Sequence, residues 1–208
     1  MAITDIVNSV VAFEKDDVVD NVKKAINSGF SIDDILNNGL IKAMDVVGEK
    51  FSSGEIFVPE MLQAAKAMQA GLEILKPHLE GDTMKEKGTI IIGTVKGDLH
   101  DIGKNLVTMM VEGAGFNVID LGVDVETEKF VTEAQANDAD VVCLSALLTT
   151  TMPVMARTIE AFKEAGLKTK IIIGGAPVTD AYAQQINAHG FSDNAPGAVE
   201  LIRELVAA

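Results

Sequence analysis

The chain has no tryptophan, one tyrosine, one cysteine and only three histidines in 208 residues. A lone cysteine, Cys143, excludes an intramolecular disulfide and any metal site built from several thiolates, and it fits a reducing compartment. Aromatic residues make up 4% of the chain, so a core has to be packed from Val, Ile, Leu, Ala and nine Met, for which a hydrophobic content of 48% is ample. Basic residues are short as well: 17 Lys and Arg face 31 Asp and Glu, a net charge of −14. Such a surface repels nucleic-acid phosphates and anionic membranes, which argues against both as partners. No apolar run reaches the roughly 18 residues of a membrane-spanning helix. The opening "MAITDIVNSVVAFEKDD" carries acids rather than a basic segment followed by an apolar one, so it does not read as a secretory signal. A soluble, cytoplasmic protein is expected.

What is present falls into two halves. Up to about residue 80, apolar residues recur at three- and four-residue spacing in "IVNSVVAF", "VVDNVKKAI", "IDDILNNGLIKAMDVVGEKF" and "PEMLQAAKAMQAGLEILKPHL". Ser31 with Asp34 reads as a helix N-cap, and Pro59 suits the first turn of the last helix. Four or five helices in a small bundle are expected, with Gly39 inside one of them. The polar stretch "EGDTMKEKG", Glu80 to Gly88, reads as a linker. After it, "TIIIGTV", "FNVIDLG", "DVVCLSAL" and "KIIIGG" are short β-rich runs separated by helix-length segments, with a weak fifth strand at "GFSDN". Continuous apolarity in these runs predicts strands buried on both faces, hence a parallel sheet wrapped by helices. The expected organisation is an all-α helical cap over residues 1–84, then a flavodoxin-like (Rossmann-like), doubly wound, five-stranded α/β domain over residues 85–208.

Ligands of such sheets sit at the carboxyl ends of the strands. Three unusual clusters fall there: "GDLHDIG" after the first strand, "SALLTTT" after the third and "GGAP" after the fourth. The first, third and fourth strands are neighbours in this winding, so the clusters should converge on one crevice. A neutral imidazole is a good transition-metal ligand, and its second nitrogen usually donates to a carboxylate that fixes the tautomer. Asp98, two residues before His100, can be that carboxylate. One histidine without cysteines or a nearby second histidine is too poor a set for zinc. It suffices where most of the coordination sphere arrives with the metal, as in a tetrapyrrole. Paired glycines then leave room for a bulky group near the backbone.

The ordered set D-x-H-x-x-G (Asp98, His100, Gly103), S-x-L (Ser145 to Leu147) and GG (Gly174, Gly175) resembles the signature of base-off cobalamin-binding domains. These occur in cobalamin-dependent methionine synthase, corrinoid mutases and the corrinoid proteins of methylamine, methanol and methoxyarene methyltransferase systems. "VGEKFSSGEIFVPEMLQAAKAM" is similar to the helical cap of the methyltransferase branch, so the likeness runs from about Asp17 to the C-terminus. The resemblance implies a cobalamin or related corrinoid bound base-off and His-on, with His100 as the lower axial ligand of cobalt. It implies that Asp98 holds the far side of the imidazole and that Thr151 extends the relay. Leu99, Asp101, Ile102, Gly103, Ser145, Leu147, Thr149, Gly174 and Gly175 would line the cofactor and the slot for its displaced nucleotide tail. Phe51 and Val58 of the cap would face the reactive side. The implied function is methyl carriage, with cobalt cycling between Co(I) and methyl-Co(III). The implied partners are a donor-specific methyltransferase, an acceptor methyltransferase using coenzyme M or tetrahydrofolate, and a reductive activase. Protonation of the Asp98–His100 relay would be coupled to the cobalt state.

Other readings stand beside these. A mutase cobalamin subunit would typically lack the cap, and a cobalamin-responsive regulator would usually add a signalling domain. Taken alone, Asp98 and His100 also read as a capping acid and a loop histidine. Ser145 and Thr149 to Thr151 also read as caps of the next helix, "GG" as a tight turn, and Phe51 and Val58 as core. Cys143 reads as a small core residue, Met109–Met110 as helix core, His78 as lying near a helix C-terminus, and His189 as a helix-end residue without a role.

Overall fold

The computed structural model describes residues 2–78 and 87–207. The chain divides into two compact units, Met1–Glu86 with Glu112–Gly115, and Lys87–Val111 with Phe116–Ala208. Of the stretch read as a linker, only Lys87 and Gly88 lie within the described residues.

The first unit is helical: α1 (Ala2–Val11), α2 (Lys15–Asn27), α3 (Ile32–Asp34), a π-helical segment (Ile35–Ile41), α4 (Lys42–Ser52) and α5 (Val58–Leu75), closed by a 3-10 turn at Lys76–His78. Ser31 caps α3 by accepting the Asp34 amide at 3.0 Å. From α3 to α4 the chain is one unbroken helical run, with Gly39 inside its π-helical part, so the periodicity of "IDDILNNGLIKAMDVVGEKF" is read correctly as helix. Pro59 is the second residue of α5, where its missing N–H removes no intrahelical bond. The apolar stripes supply a closed core, with Ile6, Val18, Leu40, Val47, Met61 and Met68 almost wholly buried. Each contributes roughly 1.5–3 kcal/mol against an exposed side chain.

The second unit alternates strand and helix: β1 (Thr89–Thr94), α6 (Ile102–Gly113), β2 (Asn117–Asp120), α7 (Thr127–Ala136), β3 (Val141–Ser145), α8 (Met152–Glu164), β4 (Lys170–Gly174), α9 (Asp180–Gln185), β5 (Gly190–Ser192) and α10 (Ala195–Ala207). All five strands, including the weak one, form a single parallel sheet in the order β2-β1-β3-β4-β5. Successive strand residues point to opposite faces. Ile91, Val142, Leu144, Ile171 and Ile173 therefore pack with Phe130 of α7 and Met155 and Phe162 of α8, while α10 lies against β3 and β5. Burial of both faces is what made β1, β3 and the middle of β4 read as unbroken apolar runs, whereas the edge strands β2 and β5 are only half-buried, contrary to the expectation for "FNVIDLG". Cys143 lies in β3, and burial pushes its thiol up to about 12, so it is an inert core residue. Among the described residues no helix is long and apolar enough to cross a membrane.

The order 2-1-3-4-5 has its switch point between β1 and β3, whose following segments leave in opposite directions and open a crevice at the carboxyl ends. Thr94 is in register with Ser145, and Ser145 with Gly174. The three marked clusters therefore leave the sheet side by side.

Candidate functional site at the carboxyl ends of the strands

Beyond β1 the chain makes a tight turn, Val95–Asp98, closed by the Asp98 amide donating to the Val95 carbonyl at 3.1 Å. The next residues reach α6 through an irregular loop, in which the Thr94 hydroxyl donates to the carbonyl of His100 at 2.8 Å. This loop turns Asp98 inward and His100 outward. The Asp98 side chain is fully buried, whereas half of the imidazole is exposed.

A buried carboxylate is costly unless its oxygens are occupied. Those of Asp98 are. Oδ1 accepts the His100 amide at 3.1 Å and lies 2.7 Å from His100 Nδ1. Oδ2 accepts the amides of Leu147 at 2.8 Å and Leu148 at 3.2 Å, and the Thr151 hydroxyl at 2.8 Å. Burial pushes the carboxyl up, but the bonds from the His100 ring, the Thr151 hydroxyl and the amides of Leu147 and His100 outweigh it. Asp98 is thus held well below the usual carboxylate range and is ionised. An ionised carboxylate at Nδ1 places the ring proton there and leaves a lone pair on Nε2, which has no partner among the described residues.

Thr151 occupies the N-cap position of α8, yet its side chain makes no cap bond. Its hydroxyl reaches both Asp98 Oδ2 and the Leu148 carbonyl, at 2.9 Å, and its one proton favours the charged acceptor. Thr149 is exposed in the same loop. Ser145 is half-buried at the end of β3, where its carbonyl accepts the Val95 amide at 3.0 Å.

The loops that carry and meet Asp98 and His100 also expose apolar side chains: Leu99 and Ile102, 70% and 80% exposed, and Leu147 and Leu148, 41% each. Asp101 is exposed beside them and accepts the Asn105 side-chain amide at 3.1 Å. The glycines differ in kind. A Cβ on Gly103, in the first turn of α6, would meet nothing within 4 Å. On Gly174 it would lie 3.1 Å from the Ser192 carbonyl oxygen, and on Gly175, at φ +129°, 1.9 Å from the Ala146 carbonyl oxygen. Gly175 is therefore demanded by the close passage of the chain after β3, whereas at Gly103 the room left is open.

Several participants carry little sequence signal. Leu148 contributes an amide, which any residue but proline could supply. Lys104 follows the D-x-H-x-x-G motif and looks like a solvated charge, but its side chain is 2% exposed, its ammonium bonded to Asp120 at the end of β2 and to Asn105. His189 is not a helix-end bystander: its Nδ1 accepts the Ile171 amide at 2.9 Å and its amide donates to the Ile171 carbonyl, extending the β4–β5 pairing. In the helical unit, Phe51 is half-buried near the end of α4, Val58 is 38% exposed at the start of α5, and neighbouring Phe57 is 66% exposed.

This donor set suits a particular kind of group. Among the described residues no cluster of three or more His, Cys, Asp or Glu could hold a bare metal ion. One oriented nitrogen in an exposed apolar setting, with open room at Gly103, fits a metal that brings its remaining ligands in a large, largely apolar macrocycle.

Comparison with known proteins agrees. Two family models, each described as a B12 binding domain, match residues 2–76 and 88–202. A corrinoid protein of Desulfitobacterium hafniense is 40% identical over 95% of this chain and 94% of its own length. Dimethylamine corrinoid protein 1 of Methanosarcina acetivorans is 42% identical over 98% of this chain and 96% of its own. Among solved structures, the methanol:cobalamin methyltransferase complex MtaBC of Methanosarcina barkeri matches with a TM-score of 0.90 at 32% identity, over all of this chain and 80% of that one. Similar along nearly its whole length to proteins of this kind, the chain belongs to the B12-binding family of corrinoid proteins.

Proposed function

We propose that this protein is a corrinoid methyl carrier, binding one cobalamin or related corrinoid base-off and His-on and serving a donor-specific methyltransferase. One observation carries this function: a half-exposed imidazole, His100, held at Nδ1 by the fully buried, ionised carboxylate of Asp98 among exposed apolar side chains. The relatives named as dimethylamine corrinoid proteins and the methanol methyltransferase complex support the methyltransferase partner.

A bound corrinoid would supply the cobalt centre that takes up a methyl group and hands it on, with His100 as the residue that would hold it. The chain's own part would be ligation and orientation. His100 Nε2 would offer its lone pair to the cobalt, and Asp98 fixes ring and tautomer through Nδ1–H. Thr151 and the amides of Leu147 and Leu148 keep Oδ2 occupied, so Asp98 does not turn away. Leu99, Ile102 and Leu147 offer apolar surface to the macrocycle, and Asp101 and Thr149 border it. Gly103, Ser145, Gly174 and Gly175 would border the slot for the displaced tail. For Phe51 and Val58 the support is the resemblance of their segment to the cap. An acceptor methyltransferase, using coenzyme M or tetrahydrofolate, and a reductive activase complete the cycle.

The test uses the whole chain reconstituted with cobalamin and reductant. It should take a methyl group from methyl iodide, yet turn over methylamines, methanol or methoxyarenes only after a partner is added. Sustained turnover of such a donor by the chain alone overturns the carrier function. Electron paramagnetic resonance of the Co(II) form with nitrogen-15 histidine should show nitrogen splitting that His100→Ala abolishes.

A further inference from the structure

The turn that delivers Asp98 is gripped from a segment that has no part in the motif. Val95–Asp98 has Gly97 in its third position at φ +85°, as a type II turn requires. Beside it runs the connection from β2 to α7. There Asp124 adopts φ +55°, a left-handed conformation that costs energy in any residue but glycine and is best borne by Asn and Asp. In that conformation Asp124 bonds to the turn three times. Its Oδ1 accepts the Gly97 amide at 2.8 Å, its Oδ2 accepts the Lys96 ammonium at 3.2 Å, and its own amide donates to the Asp98 carbonyl at 3.0 Å. Lys96 is held in addition by Glu126 at 2.9 Å, and Val95 pairs with Val125 as an isolated parallel bridge. The bond from the Gly97 amide, followed by that from Lys96, holds the Asp124 carboxyl below its ordinary range, so the grip is made by an anion. A strained residue that spends its amide and both carboxylate oxygens on one turn points to a geometric constraint on what the turn carries.

We propose that Asp124 is a positioning residue for the His100 ligand, clamping the Val95–Asp98 turn so that Asp98 meets the Leu147 and Leu148 amides on one oxygen and the imidazole on the other. The role rests on His100 being the cobalt ligand. Asp124 makes no hydrogen bond to the imidazole among the described residues. It acts through the backbone: Gly97 and the Asp98 carbonyl are fixed, and the Asp98 carboxylate can then reach its partners across the crevice in one orientation only.

Two substitutions separate the clamp from ordinary turn stability. Asp124→Gly relieves the strained φ and removes the carboxylate, and since the side chain is 42% exposed the variant should fold. Asp124→Asn keeps an acceptor for the Gly97 amide and tolerates the same φ. The cobalamin-loaded whole chain is read by Co(II) paramagnetic resonance for its histidine-ligated fraction. The cofactor-free chain is read by hydrogen exchange at the Leu147 and Leu148 amides. Removing a carboxylate that touches a ligating histidine costs roughly 10- to 100-fold; one step further out, Asp124→Gly should lower the ligated-to-unligated ratio about threefold or more, with Asp124→Asn within about twofold of the parent. Exchange at Leu147 and Leu148 should quicken in Asp124→Gly only. Unchanged ligation and exchange in Asp124→Gly, while His100→Ala abolishes the nitrogen splitting, overturns the clamp and leaves the ligand standing. Splitting that persists in His100→Ala overturns both.

Discussion

The hydroxyl of Thr151 lies 2.8 Å from Oδ2 of Asp98, a residue 53 positions earlier in the chain. This contact joins the loop after β3 to the loop after β1 across the switch point of the sheet, and it competes with the capping role that a threonine at the start of a helix would ordinarily take.

Thr151→Val removes that donor while keeping the side chain's shape. A hydrogen bond to a charged group is worth about 1.5–3 kcal/mol, and Oδ2 keeps its two amide donors, so the loss in unfolding free energy should fall near the lower end. Urea denaturation of the cofactor-free chain measures it. Thr151→Ser, which restores the hydroxyl, should recover most of the loss. A Thr151→Val variant as stable as the parent would show that the hydroxyl adds no net stability through Asp98.

Much of this architecture is legible in the residues. Unbroken apolar runs announced a parallel sheet, and its winding brought the three marked clusters to one edge. The pairing of Asp98 with His100 is local, two residues apart, so spacing alone was enough to expect it. What stayed hidden depends on segments distant in sequence. The burial of Lys104 arises from Asp120 at the end of β2, and the grip on Gly97 arises from Asp124 in the following loop. Neither pair has a spacing that marks it. Gly175 was read as room for a ligand, and the structure adds a reason of its own, an Ala146 carbonyl too close for any side chain. Sequence shows that a glycine is there and not which neighbour needs it.

The pairing of Lys104 with Asp120 offers a second test. Lys104 is nearly all buried while Asp120 is 34% exposed, so removing the ammonium leaves a carboxylate that water can partly reach. Lys104→Met should therefore cost about 1–3 kcal/mol, less than the roughly 3–5 kcal/mol of breaking a wholly buried pair. A double-mutant cycle with Asp120→Asn measures the coupling, and a cycle that closes on zero would show that the lysine stem, not its charge, stabilises the start of α6.

His189 makes stability depend on pH. Burial first, then the nearby Lys170, lowers its pKa from the ordinary 6.5. The unfolded chain thus binds a proton at a pH where the folded chain still has a neutral ring accepting the Ile171 amide. Its contribution is fully present above about pH 6.5 and declines as the pH falls through that value towards the lower folded one. His189→Asn, whose side-chain oxygen can accept the same amide without titrating, should flatten this part of the profile between neutral and mildly acidic pH. Denaturation midpoints of parent and variant across that range check it; parallel curves would place the acid sensitivity elsewhere.

Gly103 and Gly175 make opposite predictions under the same substitution. At Gly175 the backbone sits at φ +129° and a Cβ would lie 1.9 Å from the Ala146 carbonyl oxygen, so Gly175→Ala must force the loops after β3 and β4 apart and should be severely destabilising with or without cofactor. At Gly103 a Cβ meets nothing, and the residue lies in the first turn of α6, so Gly103→Ala should leave the cofactor-free chain as stable as before or up to about 1 kcal/mol more so. If the room beside Gly103 admits the displaced tail of the corrinoid, the same methyl group should weaken cobalamin binding. Larger side chains, Gly103→Val and Gly103→Leu, should weaken it in order of size. Titration of the cofactor-free variants with cobalamin, followed by absorbance, reads this directly, and cobinamide, which lacks the nucleotide tail, provides the control. Binding of cobalamin should fall along the series while binding of cobinamide changes little. Equal losses for both would put the added side chain against the macrocycle itself, and undiminished cobalamin binding in Gly103→Leu would move the tail away from the start of α6.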